Sequence, residues 1–279
     1  MQLRIVHTTG FSYDDLVSAS YNEARLTPQT TTEQLVVHSR VDVTPHPWTY
    51  TYRDYWGSMV TAFEVLDPHR ELTVTATSTV HTQRPAERPA TLDWADLREQ
   101  AVTDDLAEYV AAPDRVAPPD ELARATRDLV AGSDRPGDVA KAVCSLVHSE
   151  IEYLPGSTHV HARAAEAWEQ RSGVCQDMAH LVIGALRTVG IPARYVSGYL
   201  LPTAQPAVGE QTHGESHAWV EWWDDGWRAF DPTNAQPPGE CHVTVATGRD
   251  YADVRPLNGI YTGAAASQMF VEVQMTRLA

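Results

Sequence analysis

Residues 172–199 read SGVCQDMAHLVIGALRTVGIPARYVSGY, and the place of one cysteine within that stretch decides how the chain is read. Met178, Leu181, Val182, Ala185, Leu186 and Val189 recur at three- and four-residue intervals, the period of one helix face. Gly190 and Pro192 supply stop chemistry, and Ser172 or Gly173 lies at or just before the start. Cys175 therefore falls in the first helical turn. Unpaired N–H groups and the macrodipole favour negative charge there, so a thiolate is stabilised as it would not be in an apolar core. The bland alternative is a small buried residue, the usual fate of a lone cysteine. A nucleophilic thiol also needs a base, and the base needs an orienting group.

Residues 216–234, SHAWVEWWDDGWRAFDPTN, supply candidates for both. Trp219, Val220, Trp222 and Trp223 read as a strand, residues 227–230 as its return, and DDG as the loop between them. A three-residue loop is a type I turn closed by a left-handed glycine, which Gly226 provides. That loop pairs Trp223 with Trp227 and sets Trp219 opposite Asp231, so His217 and Asp231 share one face as diagonal neighbours. A two-residue loop would shift the register by one and separate them. Cys175, His217 and Asp231 then form a thiol version of the nucleophile, base and orienter set. Each has a structural alternative: a strand histidine is more often a core or surface residue, and an aspartate before Pro232 can simply start a turn.

The chain has 279 residues, 43% hydrophobic and 21% charged, as expected of a globular protein with one large domain or two modest ones. Its net charge of -16 argues against phosphate-tracking nucleic-acid surfaces and against anionic lipid. The first residues, MQLRIVHTTGFSYDDLVSAS, lack a basic segment followed by an apolar one, and no apolar run is long enough to span a bilayer. Cys144, Cys175 and Cys241 are odd in number and widely spaced, so reduced thiols in the cytoplasm are expected.

Residues 1–84 read as an N-terminal β domain, a small antiparallel sandwich, because residues 34–45 and 71–82 alternate with period two and are rich in β-branched residues. RPAERPA (residues 84–90) reads as a linker. Helices are expected over 92–110, 120–131 and 138–151, with Asp120 and Asp138 as N-caps and Gly132 as a stop. Residues 85–279 then form a larger α+β unit with leading helices. Asp177, in the same turn as Cys175, is expected to support the helix end. The Cys175 N–H is an expected oxyanion donor. Gln170 and Gln176 are neighbouring side chains whose spacing does not decide between them.

Three blocks resemble the bacterial transglutaminase-like superfamily, a papain-related group: residues 173–200, residues 216–234 and GRDYADVRPLNGIYTG at 248–263. SYDDLVSASYNEARLTPQTTTEQ, at 12–34, is similar to the β domain that precedes the core in many bacterial members. The resemblance implies a papain-like core, in which a helix carrying Cys175 packs on an antiparallel sheet carrying His217 and Asp231. It also implies that Arg249, Asp250 and Tyr251 form a structural network behind the site. The expected activity is thiol-dependent acyl-enzyme chemistry on a peptide or other amide substrate, as hydrolysis, with no cofactor and no metal. Protein-glutamine transglutamination and a catalytically silent peptide binder are the alternatives. A zinc centre from His213, His217 and His242 is a weaker reading, since 216–223 alternates as a strand and not as a helix.

Overall fold

The structure, a computed structural model, describes residues 1–84, 89–101, 104–202 and 207–279. Most of the expected linker, at 85–88, lies outside the described residues. Six strands come first: β1 (Gln2–Val17), β2 (Ala19–Ala24), β3 (Gln34–Thr44), β4 (Trp48–Arg53), β5 (Met59–Val65) and β6 (His69–Thr82). In β6, residues Leu72, Val74, Ala76, Ser78 and Val80 are buried while those between them are not, the pattern of a strand with one face on a core.

Four helices follow: α1 (Trp94–Ala101), α2 (Asp104–Ala107), α3 (Asp120–Ala131) and α4 (Pro136–Glu150). The helix expected over 92–110 is seen as Trp94–Ala101 and Asp104–Ala107, and residues 102–103 lie outside the described residues. Asp93 starts α1, its Oδ1 accepting the N–H groups of Ala95 (2.7 Å) and Asp96 (2.9 Å). The two expected N-caps are corrected. Pro119 caps α3, and α4 begins at Pro136, where a missing N–H costs nothing, so Asp120 and Asp138 lie inside their first turns.

The chain continues through β7 (Glu152–Tyr153), α5 (Ala164–Gln170), β8 (Ser172–Gly173), α6 (Cys175–Thr188), β9 (Ala193–Leu200), β10 (Gln211–His213), β11 (Glu215–Trp223), β12 (Trp227–Phe230) and β13 (His242–Gly248). A 3-10 turn (Tyr251–Asp253), β14 (Leu257–Thr262) and β15 (Ser267–Arg277) complete it. One four-stranded antiparallel sheet, in order β12-β11-β9-β13, carries α6 against β11 and β9. On its other flanks α6 meets α3, α4 and α5.

The sandwich consists of a five-stranded sheet, β10-β15-β1-β6-β3, and a four-stranded sheet, β14-β2-β5-β4. Its strands come from both sides of residue 84. The strands β14 and β15 come from the last part of the chain, yet pair with β2 and β1. The two units also share strands. Leu3, Ile5, Val80, Val273 and Met275 pack into the helix-bearing core, whereas Tyr13, Val17, Leu72 and Val74 fill the sandwich. β1 and β6 are long enough to serve both cores.

A one-sided helix was expected at α6, but every residue from Gln176 to Arg187 is buried. Sheet on one side and three helices on the other leave no solvent face. Burying Met178, Leu181, Val182, Ile183 and Leu186 contributes about 1.5–3 kcal/mol each. Gln176, Asp177, His180 and Arg187, brought in with them, each make at least one hydrogen bond, while Asp177 Oδ1 and His180 Nδ1 have no partner among the described residues. Gly190, at φ +82°, lets the chain leave the helix in a left-handed turn. Among the described residues no helix is long and apolar enough to cross a membrane.

Candidate active site

Cys175 is the first residue of α6 and is partly exposed, while Cys144 is fully buried on α4. The chain reaches it through a parallel pairing of β7 with β8, in which Tyr153 lies opposite Gly173. Asp177 clamps the turn: its Oδ2 accepts the Val174 N–H (2.9 Å) and the Thr158 hydroxyl (2.5 Å). Burial pushes the Asp177 carboxyl up, against those two donors. Gln176 gives its amide N–H to the Val160 carbonyl (3.4 Å), and Gln170 is exposed at the end of α5. The Cys175 N–H lies in the first turn, ahead of the ladder that starts with Asp177 and Met178 donating to Val174.

β11 and β12 pair Trp223 with Trp227 and Val220 with Phe230, the register derived above. The loop conformation differs in detail, because Asp225 (φ 52°) and Gly226 (φ 119°) both have positive φ. Asp224 is buried and accepts the N–H groups of Thr91 (3.0 Å) and Leu92 (2.8 Å) at Oδ1, so the hairpin tip is tied to the segment before α1. At the other end His217 Nε2–H donates to Asp231 Oδ2 at 2.7 Å.

Asp231 has no exposed surface and lies in a cage of donors. Its Oδ2 also accepts from Asn234 Nδ2 (2.7 Å) and His242 Nε2 (3.1 Å), and its Oδ1 from the N–H groups of Thr233 (2.9 Å) and Asn234 (3.2 Å). Burial opposes ionisation, but the bonds from His217 and His242, with Asn234 behind them, hold the carboxyl well below the ordinary range. Burial likewise opposes a charged His217. The bond to Asp231 and the sulfur of Cys175 outweigh it, raising the imidazole to about 10. His217 Nδ1 is buried and has no hydrogen-bond partner among the described residues. Burial, then the charges of Cys175, Glu215 and Asp231, push the Tyr153 hydroxyl up to about 12.

His217, Asp231 and His242 bring ligand-type atoms within 4.8 Å of one another, a spacing compatible with a metal ion. Gly239 N–H donates to His242 Nδ1 (3.1 Å), which puts the His242 proton on Nε2. Nε2 then donates to Asp231 and has no lone pair to offer. His217 Nε2 is engaged in the same way. The trio is a hydrogen-bonded cluster around one carboxylate, not an open ligand set. His213 of the zinc reading lies apart on β10, opposite Gln274.

The expected network behind the site meets α6 at His180 and Arg187, away from Cys175. Tyr251 N–H donates to His180 Nε2 (3.2 Å), and the Arg249 carbonyl accepts from Arg187 Nη2 (2.8 Å). Asp250 caps the 3-10 turn by accepting the Ala252 N–H at 2.7 Å. Sequence reasoning did not find Asn234, Tyr153, or His242 as a partner of Asp231. Asn234 alone had a local signal, as a short polar side chain three residues after Asp231 in a turn.

Residues 123–232 match the transglutaminase-like superfamily, and residues 3–81 match the bacterial transglutaminase-like N-terminal region. An uncharacterized protein of Mycobacterium leprae is 43% identical over 278 residues, covering 100% of this chain and 99% of its own. A protein-glutamine gamma-glutamyltransferase of Pseudomonas aeruginosa is 39% identical over 77 residues, 25% of this chain and 11% of the relative. Among solved structures, a candidate cysteine protease from Cytophaga hutchinsonii has the same fold, with a TM-score of 0.76 over 98% of this chain and 90% of that one at 24% identity.

Proposed function

The chain belongs to the transglutaminase-like superfamily, and from that premise we propose that it cleaves amide bonds through a Cys175 acyl-enzyme. One observation carries the reading: His217 Nε2 is held by Asp231 (2.7 Å) while its Nδ1 is buried and unpartnered among the described residues, on a strand packed against α6, whose first residue is Cys175. His217 Nδ1 takes the thiol proton, and the sulfur attacks the amide carbonyl. The Cys175 N–H, at the positive end of α6, stabilises the oxyanion that forms. The His217 imidazolium protonates the departing amine nitrogen, the C–N bond breaks, and a thioester remains on Cys175. Water, deprotonated by His217, attacks the thioester and releases the acid and the thiol. Asp231 keeps the proton on Nε2 and stabilises the imidazolium.

Hydrolysis is the reading adopted, because water needs no binding site of its own whereas transfer needs one for an amine. The match to a glutamyltransferase keeps amine transfer as the second reading. The test is incubation of native protein and Cys175→Ala with a peptide amide library, with and without a fluorescent alkylamine. Mass spectrometry should find an acyl adduct on Cys175 in the native protein only, and free acid as product. Amine-linked product would select the second reading. Absence of both adduct and product would leave the silent binder.

A further inference from the structure

His242 lies at the start of β13, opposite Leu200 of β9, and is buried. Its ring is fixed at both nitrogens: Nδ1 accepts the Gly239 N–H (3.1 Å) and Nε2 donates to Asp231 Oδ2 (3.1 Å). Trp219 meets the same ring edge to face, with centroids 5.5 Å apart and planes at 88°. The fold therefore holds this imidazole in one tautomer and one orientation, beside a carboxylate that the proposed chemistry depends on.

We infer that His242 is a fourth member of the active-site chain, a positioning residue that acts on His217 through Asp231. The inference rests on the Cys175 acyl-enzyme reading. Asp231 must remain ionised without exposure to water, and it must keep Oδ2 on the His217 Nε2–H. A lone backbone turn would satisfy Oδ1 only, through Thr233 and Asn234. Oδ2 needs side-chain donors, and His242 and Asn234 supply them. The His242 bond also withdraws part of the carboxylate charge from His217. It thereby limits how tightly the imidazolium keeps the proton that must pass to the leaving amine.

His242 acts as a neutral donor. Burial is the first cause that lowers its proton affinity, and the charges of His217 and Arg84 act in the same direction, against Asp231. The Arg84 guanidinium lies near because its Nη2 donates to the His242 carbonyl (3.3 Å). Glu240 and Cys241 precede it in the chain.

The test measures alkylation of Cys175 against pH, together with kcat and KM on any amide the library yields, in His242→Phe, His242→Gln and His242→Asn. Gln can place an N–H near the position of Nε2, whereas Asn can reach only the Gly239 side. Phe is expected to move the alkaline limb of the profile upward by about half a unit or more, and to lower kcat several-fold at unchanged KM. Gln should restore the native profile and Asn should not. If Phe fails to fold, the contrast between Gln and Asn decides. An unmoved limb in a folded Phe variant, or Asn behaving as native, overturns the inference. Native Cys175 that alkylates no faster than a free thiol would instead overturn the acyl-enzyme reading.

Discussion

Gly198 stands directly opposite His217 on the neighbouring strand, and the ring of Trp219 fills the space where a side chain would be. A Cβ at Gly198 would lie 2.5 Å from Trp219 and 2.2 Å from the Val243 carbonyl oxygen. The missing side chain lets Trp219 of β11 reach across β9 to the His242 ring on β13. Gly198→Ala should destabilise the protein by about 1–3 kcal/mol, the usual cost of overpacking. Activity should fall by more than the loss of folded protein explains, because Trp219 abuts both His242 and His217. Urea titration with single-turnover rates checks this. Native-like activity per folded molecule would show that the Trp219 contact carries no positional role.

Iodoacetamide should modify Cys175 well before the other thiols. Cys144 is buried, and burial, with Asp231 nearby, pushes its thiol far up; burial and then Glu240 raise Cys241. Peptide mapping after brief labelling of native protein gives the order. Equal labelling of all three would count against a nucleophilic Cys175.

His217→Ala should remove nearly all fast alkylation at Cys175, and Asp231→Asn should lower turnover by about 10²–10⁴-fold while leaving the protein folded. Asp231→Asn should also alter stability against pH. His217 is raised from 6.5 to about 10, so the stabilisation from its charged form is complete below 6.5 and lost as pH rises through 10. Denaturant midpoints of the native protein should therefore fall across that window, and the Asn variant should show a flatter decline. Identical slopes would mean that the pair does not form in solution. Lengthening the hairpin loop is a poorer test, since Asp224 ties it to Thr91 and Leu92.

Two buried histidines should govern acid stability. Burial lowers His7 from 6.5 to about 4 and His180 to about 3. The folded state binds fewer protons than the unfolded chain, so stability is complete above 6.5 and lost as pH falls. The expected loss is about 1.4 kcal/mol per pH unit for each residue between those limits. His180→Gln, which keeps an acceptor for the Tyr251 N–H, should reduce the slope by one residue's share. An unchanged slope would refute the assignment.

Arg187 is a buried cation held by carbonyls alone among its hydrogen-bond partners: Ala193 (2.7 Å from Nη2), Ala111 (2.8 Å) and Arg249 (2.8 Å). Burial lowers it to about 10, and the negative end of α6 favours its charge. Arg187→Met would leave those oxygens unpaired and should cost about 3–5 kcal/mol, read from denaturant midpoints. A cost below about 1 kcal/mol would show that water replaces the guanidinium.

The parts legible in the sequence were those set by neighbours along the chain. The helix period around Cys175 and the loop length between Trp223 and Trp227 are local, so α6 and the hairpin register could be derived. The surroundings of α6 could not, because a stripe of apolar residues does not disclose that helices cover its polar side. Nor could the return of β15, since pairing Leu3 with Arg277 leaves no periodicity to detect. His242 escaped notice as a partner of Asp231 for a related reason. Its position depends on the path of the connection between β12 and β13 and on the missing side chain at Gly198, whose place Trp219 takes.

β1 occupies the middle of its five-stranded sheet, with β6 on one side and β15 on the other. During synthesis β6 follows early, but β15 emerges only after the helices and the His217 hairpin have been made. Until then β1 presents a bare edge of unpaired N–H and C=O groups, the kind of surface on which nascent chains aggregate. Leu3 and Ile5, which lie in the same core as α6, sit on that unfinished edge. A ribosome-stalled chain ending before residue 267 should therefore bind holdase chaperones and resist compaction, however complete its catalytic residues are. Closure of the sandwich and assembly of the core would then be one late event, timed by the arrival of the final strand.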